Sequence, residues 1–204
     1  MTHTENTASS GHTAHHGDDP RQGLLKAVAL AGRTVAAVRP EQLDGPTPCS
    51  EFTVRQLAGH LVAVLRRIAV AGRGGDVTSL PTVADELTDA GRQEAWDAAV
   101  REVGAAWADP AVLGRTLTLP FGRIPGAAAA AVWTSEFTVH TWDVATATGQ
   151  SPEWDPEIVA ISYAAMQRGL PAGPREGAPF AAAVDVAEDA PAIDRLVAWC
   201  GRKP

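Results

Sequence analysis

"SEFTVHTWDVATATGQ", residues Ser135 to Gln150, has the apolar rhythm of a helix with two residues out of place. Glu136 and His140 sit where apolar side chains are expected, four apart on one face and close to Trp133, Phe137 and Val144. The helix extends back to about Gly126 and closes at Gly149, a residue suited to a left-handed terminator. A second helix, roughly Thr53 to Ala71 with Thr53 as its cap, shows the same anomaly: His60 falls among Leu57, Leu61 and Val64. Burying an ionised Glu costs several kcal/mol unless it is paired or coordinates a cation. A divalent metal satisfies all three residues at once, with two neutral imidazoles and one carboxylate, and the i, i+4 spacing lets Glu136 and His140 reach one ion from a single helix. The residues also admit a plainer reading, in which Glu136 and His140 form an i, i+4 pair at a helix edge and His60 is a satisfied core histidine.

Around these two segments the chain reads as mainly helical. "RQGLLKAVALAGRTVAAV" carries Leu24, Val28, Leu30, Val35 and Val38 at helical spacing and ends before Pro40. A third helix is expected over about Val83 to Ala108, with Trp96, Val100, Val103 and Trp107 on its stripe and Pro110 as its stop. "RTLTLPFGRIPG" alternates and then turns, predicting an extended excursion or short hairpin. A fifth helix is expected around Pro156 to Arg168, followed by an extended segment and a short amphipathic helix. Four main helices of comparable length predict a four-helix bundle with a short extended and helical C-terminal appendage.

Residues 1–19 contain no Val, Ile, Leu or Phe, so a disordered polar tail is expected there and the folded domain is expected over 20–204. His3, His12, His15 and His16 lie in that tail, where they are either a loose metal-collecting tract or simple polar residues. A net charge of −7 with scattered arginines argues against nucleic acid as a partner. No apolar run approaches the ~20 residues needed to cross a membrane, and the N-terminus lacks the features of a secretory signal. Two distant cysteines, Cys49 and Cys200, suggest no disulfide framework. A soluble, cytoplasmic protein is the expectation, as a monomer or homodimer.

"TPCSEFTVRQLAGHLV" (Thr47 to Val62), followed by "TLPFGRIPG", "SEFTVHTWDVATATG" and "DAPAIDRLVAWCGR", resembles the N-terminal domain of mycothiol-dependent maleylpyruvate isomerases, a DinB-like family of metal-binding four-helix bundles. It is similar in particular to an actinobacterial branch described as metal-binding proteins. The resemblance implies a divalent metal, taken as zinc, held by His60, Glu136 and His140, and mycothiol as co-substrate. Two departures stand out: Phe52 occupies a position where the family commonly has Trp, and residues 170–204 are too short to be the larger C-terminal domain of the isomerases.

Three protein ligands leave a coordination position open to water or a substrate atom. The resemblance implies a thiol-dependent transferase or isomerase acting on a small electrophile, with a small-molecule substrate and a low-molecular-weight thiol as partners. A metal-dependent hydrolase and a non-catalytic metal or small-ligand-binding protein are the alternatives. No catalytic residue is identifiable from the sequence. Asp143, three residues after His140, either orients a ligand from behind or makes a hydrogen bond elsewhere. Cys49 is either a nucleophile activated before helix two or a small residue in a Pro-flanked turn, Cys200 reads as apolar packing, and Arg123 as a surface residue or an anion contact.

Overall fold

The computed structural model describes residues 19–85, 88–175 and 180–204. The expected polar tail therefore lies, except for Asp19, outside the described residues, together with its four histidines. Helix α1 spans Pro20–Ala36; Asp19 caps it, its carboxylate accepting from the Arg21 amide at 3.0 Å, and Pro20 supplies the fixed φ of a first turn. Helix α2 spans Val54–Gly72 and starts with a reciprocal capping box between Thr53 and Gln56. Helix α3 spans Arg92–Ala106, and an antiparallel hairpin of β1 (Thr116–Leu119) and β2 (Gly122–Pro125) follows, with Thr116 opposite Pro125. Helix α4, Gly126–Thr148, ends at Gly149 with φ 69°; α5 (Pro156–Gly169) and α6 (Ala192–Trp199) complete the chain.

The third helix begins later than its apolar stripe suggests. Val83 and Ala84 belong to a non-helical segment that docks on α2, with Ala84 buried and its amide donating to the Gly59 carbonyl at 3.2 Å. Thr88 then closes a turn by accepting from the Gly91 amide, which diverts the backbone from helix until Arg92. The extended segment expected after α5 pairs with no strand among the described residues; the Val184 amide donates instead to the Ala198 carbonyl at the end of α6. Pro40–Gln42 and Pro110–Gly114 form short 3-10 turns.

Helix α4 packs against α1, α2 and α5, which explains why apolar residues surround it on every side. One apolar cluster joins α1 to α4 through residues such as Leu61, Trp96 and Phe137. A second unites the far side of α4 with α5 and α6, through Val139, Met166 and Leu196. The Thr and Ser hydroxyls on α4 are satisfied within the helix: Thr134, Thr138 and Thr141 each donate to the carbonyl four residues back, at 2.6–2.8 Å. The fold is that of a DinB-like helical bundle with a short C-terminal appendage.

Two glycines should respond oppositely to the same change. A Cβ on Gly126, where α4 leaves the hairpin, would run into the backbone carbonyl of Val112, which cannot swing aside. Gly104 sits exposed in α3 with nothing near its missing Cβ. In urea unfolding, Gly126→Ala is expected to lose about 2 kcal/mol, and Gly104→Ala to gain about 0.5–1 kcal/mol from helix propensity.

Candidate metal centre

His60 from α2 and Glu136 and His140 from α4 come together in the bundle. The His60 Nε2 atom lies 2.9 Å from Glu136 Oε1, and His140 Nε2 lies 3.5 Å from the same oxygen. One potential ligand atom from each residue falls within 4.8 Å of the other two. Both imidazoles are fixed from behind. His60 Nδ1 donates to the Thr82 carbonyl at 2.9 Å, and His140 Nδ1 donates to Asp143 Oδ2 at 2.9 Å. A carbonyl only accepts, so Nδ1 of His60 carries a proton, and Nε2 faces Glu136. Phe52 stacks on the His60 ring, with the ring centroids 5.0 Å apart.

The electrostatics of the triad reflect tight coupling. Burial works to raise the Glu136 pKa, but the neighbouring His140 charge and the two imidazole hydrogen bonds hold it well below the usual carboxylate range. Burial works to lower the His140 pKa, yet Glu136 and Asp143 prevail and push it up to about 9.

Asp143 is fully buried and anchors this arrangement. Its Oδ1 accepts from Arg202 Nε at 3.2 Å and its Oδ2 from Arg202 Nη2 at 2.9 Å. Asp143 meets both of its readings, hydrogen-bonding to His140 and to Arg202 elsewhere in the fold. Cys49, His140 and Asp143 form a second group of potential ligand atoms within 4.8 Å. Both oxygens of Asp143 are already committed to Arg202 and His140, which makes this group a poor cation site. The Cys49 thiol, half-buried in its turn, has its pKa raised because burial outweighs the attraction of Arg202, the opposite of nucleophile activation. Cys200 is buried, and its thiol is pushed up to about 12.

The triad opens onto a cavity of about 310 Å³. Its walls include Val64, Leu119, Trp133 and Met166, with Phe121 at the hairpin tip. Arg123 is exposed; the hairpin reaches the cavity through Leu119, Pro120 and Phe121 instead. Three contributors escaped the sequence reading. Thr82 acts through a backbone carbonyl and Arg202 is 59 residues from its partner, so neither leaves a local pattern. Arg67 lines the cavity two helical turns after His60, a spacing that could have flagged it.

The helical bundle is DinB-like, and two imidazoles and a carboxylate from neighbouring helices line one cavity in it. The chain belongs to the mycothiol maleylpyruvate isomerase N-terminal domain family, whose family model matches residues 24–145. Uncharacterized proteins from two strains of Mycobacterium tuberculosis are 35% identical to it over 187 residues, spanning 90% of this chain and 98% of theirs. The crystal structure of the mycothiol-dependent maleylpyruvate isomerase superposes with a TM-score of 0.59 at 13% identity, covering 74% of this chain and 70% of that one. No helix among the described residues is long and apolar enough to cross a membrane.

Removing Arg202 would strip Asp143 of its guanidinium while leaving the carboxylate buried. Arg202→Met is expected to lose about 3 kcal/mol in urea unfolding near neutral pH. A loss below about 1 kcal/mol would place this pair with weakly contributing surface ion pairs.

Proposed function

We propose that the protein binds one divalent cation, with zinc the favoured ion, through His60, Glu136 and His140, and uses it for thiol-dependent transfer or isomerisation of a small electrophile. Mycothiol is the proposed thiol. The observation that carries this reading is the orientation of the two imidazoles: each commits Nδ1 to a fixed acceptor and turns Nε2 toward Glu136. Metal-bound histidines are characteristically held in this way. The spacing also fits. Ligand atoms about 2.1 Å from a tetrahedral ion lie about 3.4 Å apart, and the observed separations of 2.9 and 3.5 Å bracket that value.

When bound, such a cation supplies Lewis acidity and an open position that lowers the pKa of a thiol or a water. The residues of the chain divide the remaining work. Thr82 and Asp143 set the imidazole orientations, and Arg202 compensates the charge of Asp143. Trp133, Leu119 and Met166 surround the site with apolar surface, which limits water and suits an organic electrophile. The family membership supports a thiol as the partner, since mycothiol is in the name of the family and of its structural neighbour.

Protein lacking residues 1–18, and with them the tail histidines, should retain close to one metal ion per chain by atomic absorption, and His60→Ala should lose most of it. Equal metal content in the wild type and the triple alanine variant would overturn the metal reading. With cobalt as the ion, a low-molecular-weight thiol should produce a sulfur-to-metal charge-transfer band in the near ultraviolet, absent in His140→Ala. Cobalt spectra indifferent to thiols, together with ester or amide hydrolysis, would establish a hydrolase; indifference to both would leave a non-catalytic binding protein. Because the apolar core is continuous without the triad, chelated protein should keep its helical circular dichroism and lose only part of its melting temperature.

A further inference from the structure

We infer that the cavity seats an organic anion on Arg67, so that its ligand is a small carboxylate with an apolar body. Arg67 lines the cavity, and its guanidinium is held in place by Nη2 donating to the Leu80 carbonyl at 2.8 Å and lying 3.4 Å from Thr82 Oγ1. Thr82 is also the residue whose carbonyl fixes His60. One residue thus contacts both the guanidinium and the imidazole, although their backbones are seven residues apart on α2, about 10 Å along the helix axis. Helical side chains lean toward the N-terminus, which brings Arg67 back toward the triad.

Arg67 stands apart from the other arginine of the cavity in its charge balance. Arg202 is neutralised by Asp143. Among the described residues no ion pair joins Arg67 to a carboxylate, and its buried Nε finds no acceptor. Glu136, the carboxylate of the triad, faces the two imidazoles. Glu51 and Glu136 also line the cavity, but among the described residues neither pairs with Arg67, so its guanidinium is left without a carboxylate partner, and a guanidinium fork matches a carboxylate in geometry as well as charge. Arg67 lies in the interior of α2, away from the helix N-terminal amides that help bind phosphate, which favours a carboxylate.

The rest of the cavity describes the rest of the ligand. Val64, Leu119, Val132, Trp133 and Met166 offer apolar contact. Phe121, at the hairpin tip, is 64% exposed although it lines the same cavity. An apolar ligand body would cover part of that ring, giving an exposed aromatic residue a use. For the identity of the reacting end of the ligand the inference rests on the proposed thiol chemistry; the anion seat does not.

Isothermal titration calorimetry of the full chain with phenylpropionate and its neutral isostere phenylpropanol tests the assignment. The carboxylate is expected to bind about tenfold more tightly than the alcohol, with the preference surviving chelation. Arg67→Met should bring carboxylate affinity down to that of the alcohol without changing alcohol binding, and Arg67→Lys should keep part of the preference. Should Arg67→Met fail to fold, Arg67→Lys decides: a selective weakening of the carboxylate supports the seat, and no change overturns it. Equal affinities in the wild type, no saturable carboxylate binding, loss of the preference on chelation, or its loss in Arg202→Met but not Arg67→Met would each overturn the inference. If thiols leave the cobalt spectrum unchanged while Arg67 still selects the carboxylate, the thiol reading fails and the anion seat stands.

Discussion

The arrangement of the site follows from a carboxylate placed in the middle of a helix that is packed on all sides. Glu136 has to be matched inside the protein, and two imidazoles match it. Those imidazoles serve only if their rings are held, which calls for acceptors behind them: a loop carbonyl at Thr82 and a second buried carboxylate at Asp143. Asp143 in turn needs a cation, and Arg202 reaches it from beyond α6. Each polar residue solves the problem created by the one before it. Buried polar networks stabilise only when every member is satisfied, and this chain of contacts links α2, α4, the loop before α3 and the C-terminal segment.

Helix α4 tolerates this load because its other polar groups need little from outside. Its Thr and Ser hydroxyls bond back to carbonyls of the same helix, so they enter the core without leaving donors unmet. The short appendage has a structural task here. Helices α5 and α6 cover the side of α4 that the bundle leaves open, burying Val139 and Trp142 against Val159, Leu196 and Val197. The same segment delivers Arg202 to Asp143. The family match ends at residue 145, so this covering element lies outside the matched region, and the departure noted from the sequence at residues 170–204 concerns the part of the chain that completes the network.

Much of this was legible in the sequence where a local signal existed. The bounds of α4 were readable because an apolar run ends at a glycine that adopts φ 69°. Thr53 was readable as the cap of α2 and Pro20 as the start of order, whereas Asp19, assigned to the polar tail, caps α1, and Gln56 completes the capping box of α2. His60, Glu136 and His140 stood out because imidazole and carboxylate are costly on apolar stripes, and the fold brings all three together. Legibility failed where non-local contacts decided. Val83 and Ala84 fit a helical stripe but are held on α2 through Gly59, a contact no periodicity reveals. Pro40 and Pro110 read as stops, yet each opens a 3-10 turn, because proline terminates what precedes it while favouring a first turn of its own. Thr82 contributes a carbonyl, which every residue possesses, so its side chain could not single it out for that role.

The position of α4 between two apolar clusters also bears on the timescales of the site. Local opening of a helix is governed by the contacts it must give up, and α4 cannot open without exposing the bundle core on one side and the α5–α6 cluster on the other. Its amides accordingly belong among the slowest in the molecule to exchange with deuterium. Glu136 and His140 ride on that slow-exchanging backbone, whereas Thr82 sits in the connection between α2 and α3 and Phe121 in the hairpin turn. The donor atoms of Glu136 and His140 therefore keep their places unless α4 itself opens.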